Sequence, residues 1–253
     1  MRDRTAPARG RPVSTLALPL LAALTLPTGC TAGEDDAGPA PSAPPPATTP
    51  ASSAPTGQSS PTADATVVIP TSAFVELPPE LRKMPRRTTP TENALPTLCG
   101  EEFGTGGRRV TASASMTVTY QQAGAPESSV PQGMIHQTIF TFDGAGASDY
   151  LRRVRGAVEG CPSYGRDGGA VRVESRPLPG VGDEALLVTR TWPAAGPDGR
   201  PAGGEAAGQI AVIRVDGVAT VLDDQGWEGT SGNPAVLEQA TREAVRAIET
   251  WRR

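Results

Sequence analysis

Three cysteines, a single histidine and the adjacent carboxylates Asp183-Glu184 and Asp223-Asp224 are the groups whose chemistry is weighed first. His136 stands alone. No second histidine completes a zinc set, and no C-x-x-C or G-x-S-x-G pattern accompanies it. As a general base it lacks a nucleophile to activate, so a structural or solvated role is expected. The pair Asp183-Glu184 follows a Pro-Gly-Val-Gly stretch. Neighbours on a strand point to opposite faces, so the two cannot share a catalytic site, and Asp183 reads as a turn residue. Asp223-Asp224 closes an apparent hairpin and is expected to be solvated. The glycines of 104–107 and 180–182 read as turns, because the first set precedes a strand and not the helix a phosphate loop requires. Trp227, in the Gly-rich stretch 226–232, is the best-placed residue for ligand contact, with packing onto a sheet as the alternative. Trp227 and His136 are therefore the candidate cleft residues. No catalytic residue, metal site or cofactor is implied, and an enzyme is not expected.

Cys30 has a different context. Arg2, Arg4, Arg9 and Arg11 precede a nearly uncharged apolar run over 13–26. That is the order of a secretory leader. The run is shorter than the ~20 apolar residues of a spanning helix, and Pro19 and Pro27 oppose a long one. It ends in Leu26-Pro27-Thr28-Gly29-Cys30, which resembles the bacterial lipobox. Thr28, Gly29 and Cys30 fit that pattern, and Pro27 stands where Leu is usual. The resemblance implies diacylglycerol on the Cys30 sulfur, cleavage before it, and acylation of the new amine. Two or more chains make a stable anchor, where one is marginal. The expectation is a signal peptide over 1–29 and a lipid-anchored protein on the extracytoplasmic side of the cell membrane.

Removing the four arginines and one aspartate of that leader leaves 19 basic against 26 acidic residues, a net charge of −7. With one lysine and no basic patch, nucleic acid is excluded as an expected partner. Residues 31–65 are Pro, Ala, Ser, Thr and Gly with hardly a large apolar side chain. Such a segment cannot offset its ordering entropy, and is expected to be a disordered tether from Cys30 through 65, reaching ~30 Å as a coil and ~100 Å if extended. Cys99 and Cys161 remain, and in an oxidising compartment an even pair reads as a disulfide.

The folded part is expected over 66–253. Residues 110–120 alternate strictly, with Val110, Ala112, Ala114, Met116, Val118 and Tyr120 on one face, which predicts a half-buried strand pairing with 134–142. A helix over 147–159 carries a stripe of Ala147, Leu151, Val154 and Val158, with Gly160 and Pro162 ending it. Strands are expected at 171–174 and 185–192, and a mobile Gly/Pro loop at 193–208. Residues 210–222 predict a hairpin around Asp216-Gly217, with a type I′ turn. Both its faces are apolar, so it should be central and covered. Lys83, Arg86 and Arg87 read as a solvated loop. The last helix begins at the cap Asn233 with Pro234 behind it, and buries Leu237, Ala240, Ala244, Ile248 and Trp251. The class is α+β: an antiparallel sheet with two amphipathic helices and one disulfide.

Leu98-Cys99-Gly100, Gly160-Cys161-Pro162, the run Pro179-Gly180-Val181-Gly182-Asp183-Glu184-Ala185 and the closing helix with Trp251 are short motifs whose order carries a likeness. Over 67–253 the chain resembles the extracytoplasmic sensor domain of the PknH-like family, found on mycobacterial receptor kinases and on free-standing actinobacterial lipoproteins. The resemblance implies one α+β domain with a cleft for an extracellular ligand. Members often have two disulfides, whereas this chain has one pair. The partners it implies are the membrane through the anchor and a small molecule, cell-wall fragment or envelope protein.

Overall fold

The computed structural model describes residues 66–253, save 101, 105–106, 167–168 and 197–198. The leader, Cys30 and the tether lie outside the described residues. Eight strands form one antiparallel sheet: β1 (Arg82–Thr88), β2 (Val110–Tyr120), β3 (Gly133–Phe142), β4 (Ser163–Arg166), β5 (Gly169–Pro177), β6 (Glu184–Ala195), β7 (Pro201–Val215) and β8 (Val218–Gly226). Their order is β1-β2-β3-β8-β7-β6-β5-β4. Two meanders therefore meet where β3 pairs with β8. A one-turn helix α1 (Thr91–Ala94) precedes β2, α2 (Gly146–Glu159) joins β3 to β4, and α3 (Pro234–Arg252) follows β8.

The period-two pattern of the central strands explains why helices cover both faces. Ile139 of β3, Leu187 of β6 and Ile213 of β7 pack with Leu237, Ala240, Ala244 and Ile248 of α3. The alternate residues Phe140, Val188 and Val212 pack with Leu151, Val154 and Val158 of α2. A strand that is apolar at every position needs a lid on each side, and the α2 crossover and the α3 return supply them. The α2 stripe expected from the sequence is buried, joined by Tyr150 against Phe140 and Phe142. At α3, the Asn233 side chain accepts from the amides of Ala235 and Val236, with Pro234 at the first position. Trp251 is half-buried against the same core.

Several expectations are corrected. Strand β2 alternates in burial only through its first half, and from Ser115 to Tyr120 both faces are buried. The stretch 193–208 is largely strand, since β6 runs to Ala195 and β7 starts at Pro201. Its small residues pair as a ladder, Trp192 with Ala206 and Pro193 with Glu205. Lys83, Arg86 and Arg87 lie on the edge strand β1, where charge and Pro85 discourage pairing with another chain. At the β7–β8 turn Val215 pairs with Val218 as expected, yet only Asp216 has positive φ (50°) while Gly217 does not, so the turn is not type I′.

The Cys99–Cys161 disulfide is formed and closes a separation of 62 residues, pinning the end of α2 to the segment before β2. In the chain-entropy view, a loop of that size stabilises the fold by about 4 kcal/mol. The Cys99→Ser/Cys161→Ser double variant should lose about that much in urea unfolding. An unchanged midpoint would show that the bridge does not constrain the unfolded chain.

Candidate functional site

Asp223 and Asp224, neighbours on β8, are both essentially inaccessible to solvent, against the expectation that they are solvated. The correction follows from β8 lying at the middle of the sheet and from its pleat, which sends the two side chains to opposite faces. Asp223 shares the parity of Ala219 and Val221, on the α2 side. It forms an ion pair with buried Arg190 and accepts from Gln225 Nε2 at 2.7 Å. Arg190 reaches it from β6 across β7 because the intervening residue is Gly208. A Cβ there would stand 3.2 Å from Arg190 Nη2 and 3.3 Å from Trp192. A buried pair of this kind is costly to break, because one partner is then left as an uncompensated charge.

Asp224 points to the α3 side. It accepts from Tyr120 Oη at 2.7 Å and from the Asn233 amide at 2.7 Å. The same amide also reaches Tyr120 Oη at 3.0 Å. One carboxylate therefore joins β8, β2 and the cap of α3, at the helix end that favours negative charge. Gly232 is required for that approach, since a Cβ would sit 2.2 Å from Asp224 Oδ2. Burial raises the Asp224 carboxyl to about 6, with Asp223 adding to the rise and the Tyr120 and Asn233 hydrogen bonds opposing it. Burial also pushes the Tyr120 phenol upward.

These contacts fix the segment that follows β8. Trp227–Gly229 forms a short 3₁₀ turn in which Glu228 has positive φ (51°). The segment is tied back to β7 by Gly232 N–H donating to Ala207 O at 2.8 Å and Ser231 Oγ accepting from Ala207 N at 3.1 Å. Trp192 Nε1 donates to Gly229 O at 3.3 Å. Between this turn and the paired ends of β4 to β7 lies a cavity of about 670 Å³, lined among others by Arg166, Val171, Trp192, Pro193 and Glu228. The Arg166 guanidinium lies 5.6 Å from the centre of the Trp192 ring. The volume falls in the range of small-molecule sites, and the lining joins an aromatic wall to one base and one acid.

Of the residues singled out from the sequence, Trp227 does not line this cavity; its neighbours Glu228 and Gly229 do, and Trp192 is the tryptophan at the site. Trp227 is instead half-buried, its amide donating to Gln132 O at 3.0 Å. His136 sits on β3 between Thr117 and Asp223 in register, with Nδ1 2.8 Å from Thr117 Oγ1. It is likewise outside the cavity lining. Burial lowers its pKa, with Asp223 opposing and Arg87 reinforcing the shift. Asp183 is a turn residue as expected, accepting from the Asp216 amide at 2.7 Å and from Arg214 at 3.0 Å. Cys99, Cys161 and Glu102 lie close enough to suggest a metal set. The sulfurs are bonded to each other, however, and Glu102 accepts from the amides of Leu98, Cys99 and Gly100, which orients it for structure.

No family model matches the chain, and no curated protein matches it. Among solved structures it is similar to the extracellular domain of PknH from Mycobacterium tuberculosis. That likeness has 14% identity and a TM-score of 0.42, and covers 66% of this chain and 78% of the other. At that level it carries no functional consequence.

The Asp224 environment makes a signed expectation. A carboxyl raised from 3.8 to about 6 favours the fold when protonated, so its contribution is present below pH 4 and lost as pH rises through 6. The loss is roughly 3 kcal/mol. Urea titrations of wild type and Asp224→Asn should therefore diverge between pH 4 and 7, the variant gaining relative to wild type as pH rises. Parallel pH profiles would contradict the assignment.

Proposed function

We propose that this chain is a lipid-anchored extracytoplasmic protein whose folded domain binds a small ligand in the Trp192 cavity, without catalysing a reaction on it. The observation that carries the reading is the cavity itself: an aromatic wall, Pro193 and Val171 as apolar surface, and Arg166 and Glu228 as opposite charges in the lining. That lining suits a small polar molecule with one apolar face, such as a cell-wall fragment. The cavity walls are held by hydrogen-bonded strands and by the Trp192–Gly229 bond, so little ordering need accompany binding. The place in the cell is supported by the leader, by the lipobox-like stretch ending at Cys30, and by a disulfide of the kind that persists in oxidising compartments. The 30–65 tether would then hold the domain clear of the membrane.

Two measurements test this. A Cys30→Ala variant expressed from the full chain should leave the membrane fraction, and intact mass should show acyl chains on wild type alone. Retention of the variant at the membrane would contradict anchoring. Separately, a thermal-shift screen of soluble cell-wall fragments against residues 66–253 should yield a binder. At ~100 times its Kd, a ligand adds about 2.7 kcal/mol and raises the Tm by roughly 5–10 °C. Trp192→Ala should abolish that shift. A shift that survives Trp192→Ala would place the site elsewhere, and no shift with any fragment would favour an envelope protein as the partner.

A further inference from the structure

A second cavity, of about 390 Å³, lies between the first turns of α3 and the β5–β6 turn, on the face of the sheet opposite α2. Its apolar surface comes from Leu178, Val181, Leu187 and Leu237. Two observations set it apart from a packing gap. Thr241 lines it and is buried, yet its Oγ1 has no hydrogen-bond partner among the described residues. The hydroxyl is sealed from solvent in the empty cavity, so it gains a partner when the Thr241 side chain turns it toward a ligand seated there. At the rim, Arg176 is exposed and has no ion-pair partner among the described residues, while Arg242 is held by Glu238 at 2.5 Å. The rim therefore carries a net positive charge over an apolar floor.

We infer that this cavity is a binding site for a small amphiphilic anion, a carboxylate with a short acyl or comparably apolar body. The apolar body lies against Leu178, Leu187 and Leu237. The carboxylate is at the rim, accepting from the Arg176 guanidinium, whose planar donors match two carboxylate oxygens. The Thr241 hydroxyl, once turned toward the ligand, supplies a polar contact inside. The site is separate from the Trp192 cavity, shares none of the residues named for it, and does not depend on the ligand proposed there.

Sodium octanoate is the probe, with 1-octanol as its uncharged counterpart, titrated into residues 66–253 by calorimetry and followed by amide chemical shifts. Saturable octanoate binding that shifts the amides of α3 near Thr241 is expected, with octanol weaker. Arg176→Gln should weaken octanoate about tenfold. Thr241→Val should weaken it too, while leaving the ligand-free Tm unchanged or higher, because the hydroxyl it removes is unpartnered in the fold. Trp192→Ala should leave octanoate binding intact. Absence of saturable binding, equal affinity for octanol, or indifference to Arg176→Gln would each overturn the inference.

Discussion

Two consecutive carboxyl groups on the central strand β8 set how the parts of this molecule are arranged. Asp223 faces α2 and is locked to Arg190; Asp224 faces α3 and is locked to Tyr120 and the Asn233 amide. Both are removed from water. Burying a charged group is unfavourable unless its partners are in place, so each carboxylate accepts only one arrangement of its neighbours. Hydrophobic contacts bring the helices to the sheet, but they are non-directional. The carboxylates supply direction: they specify where β6 lies relative to β8, and where α3 must begin.

That constraint reaches the surface. Because Asp224 secures Asn233, the segment between β8 and α3 has both ends fixed, and it forms one wall of the Trp192 cavity through Glu228 and Gly229. Because Asp223 secures Arg190, β6 is fixed two residues before Trp192 on the same side of the strand. The two walls of the cavity are thus positioned by adjacent residues of one strand. A cavity whose two walls are tied to one strand in this way has little freedom to change shape.

Much of the fold was legible in the sequence, because it follows from periodicity. The alternation of 110–120, the helical stripe beginning at Ala147 and the Asn233-Pro234 cap each describe a local preference that tertiary contacts reinforce. The disulfide was legible from cysteine number. What was not legible is the sheet order that places β8 beside β3, since strands far apart in sequence leave no local mark of their pairing. That is why Asp223 and Asp224 read as solvated. A signal did exist: Arg190 is in phase with Leu186 and Val188, and Asp223 with Ala219 and Val221, so each strand carried a charge directly after an apolar run on the same face. Two such charges of opposite sign imply a buried pair. Trp192 was not singled out, because its surroundings at 193–208 read as a loop and not as the paired strands that make the cavity wall.

The most direct test is amide hydrogen exchange across 226–233 in wild type and in Asp224→Asn at neutral pH. If the carboxylate secures this segment, the variant should exchange at least ~10-fold faster at Asn233 and its neighbours, while the central β7 amides at 210–213 keep their protection. Equal protection of the segment in both proteins would show that the cavity wall stands without Asp224, and would contradict the account.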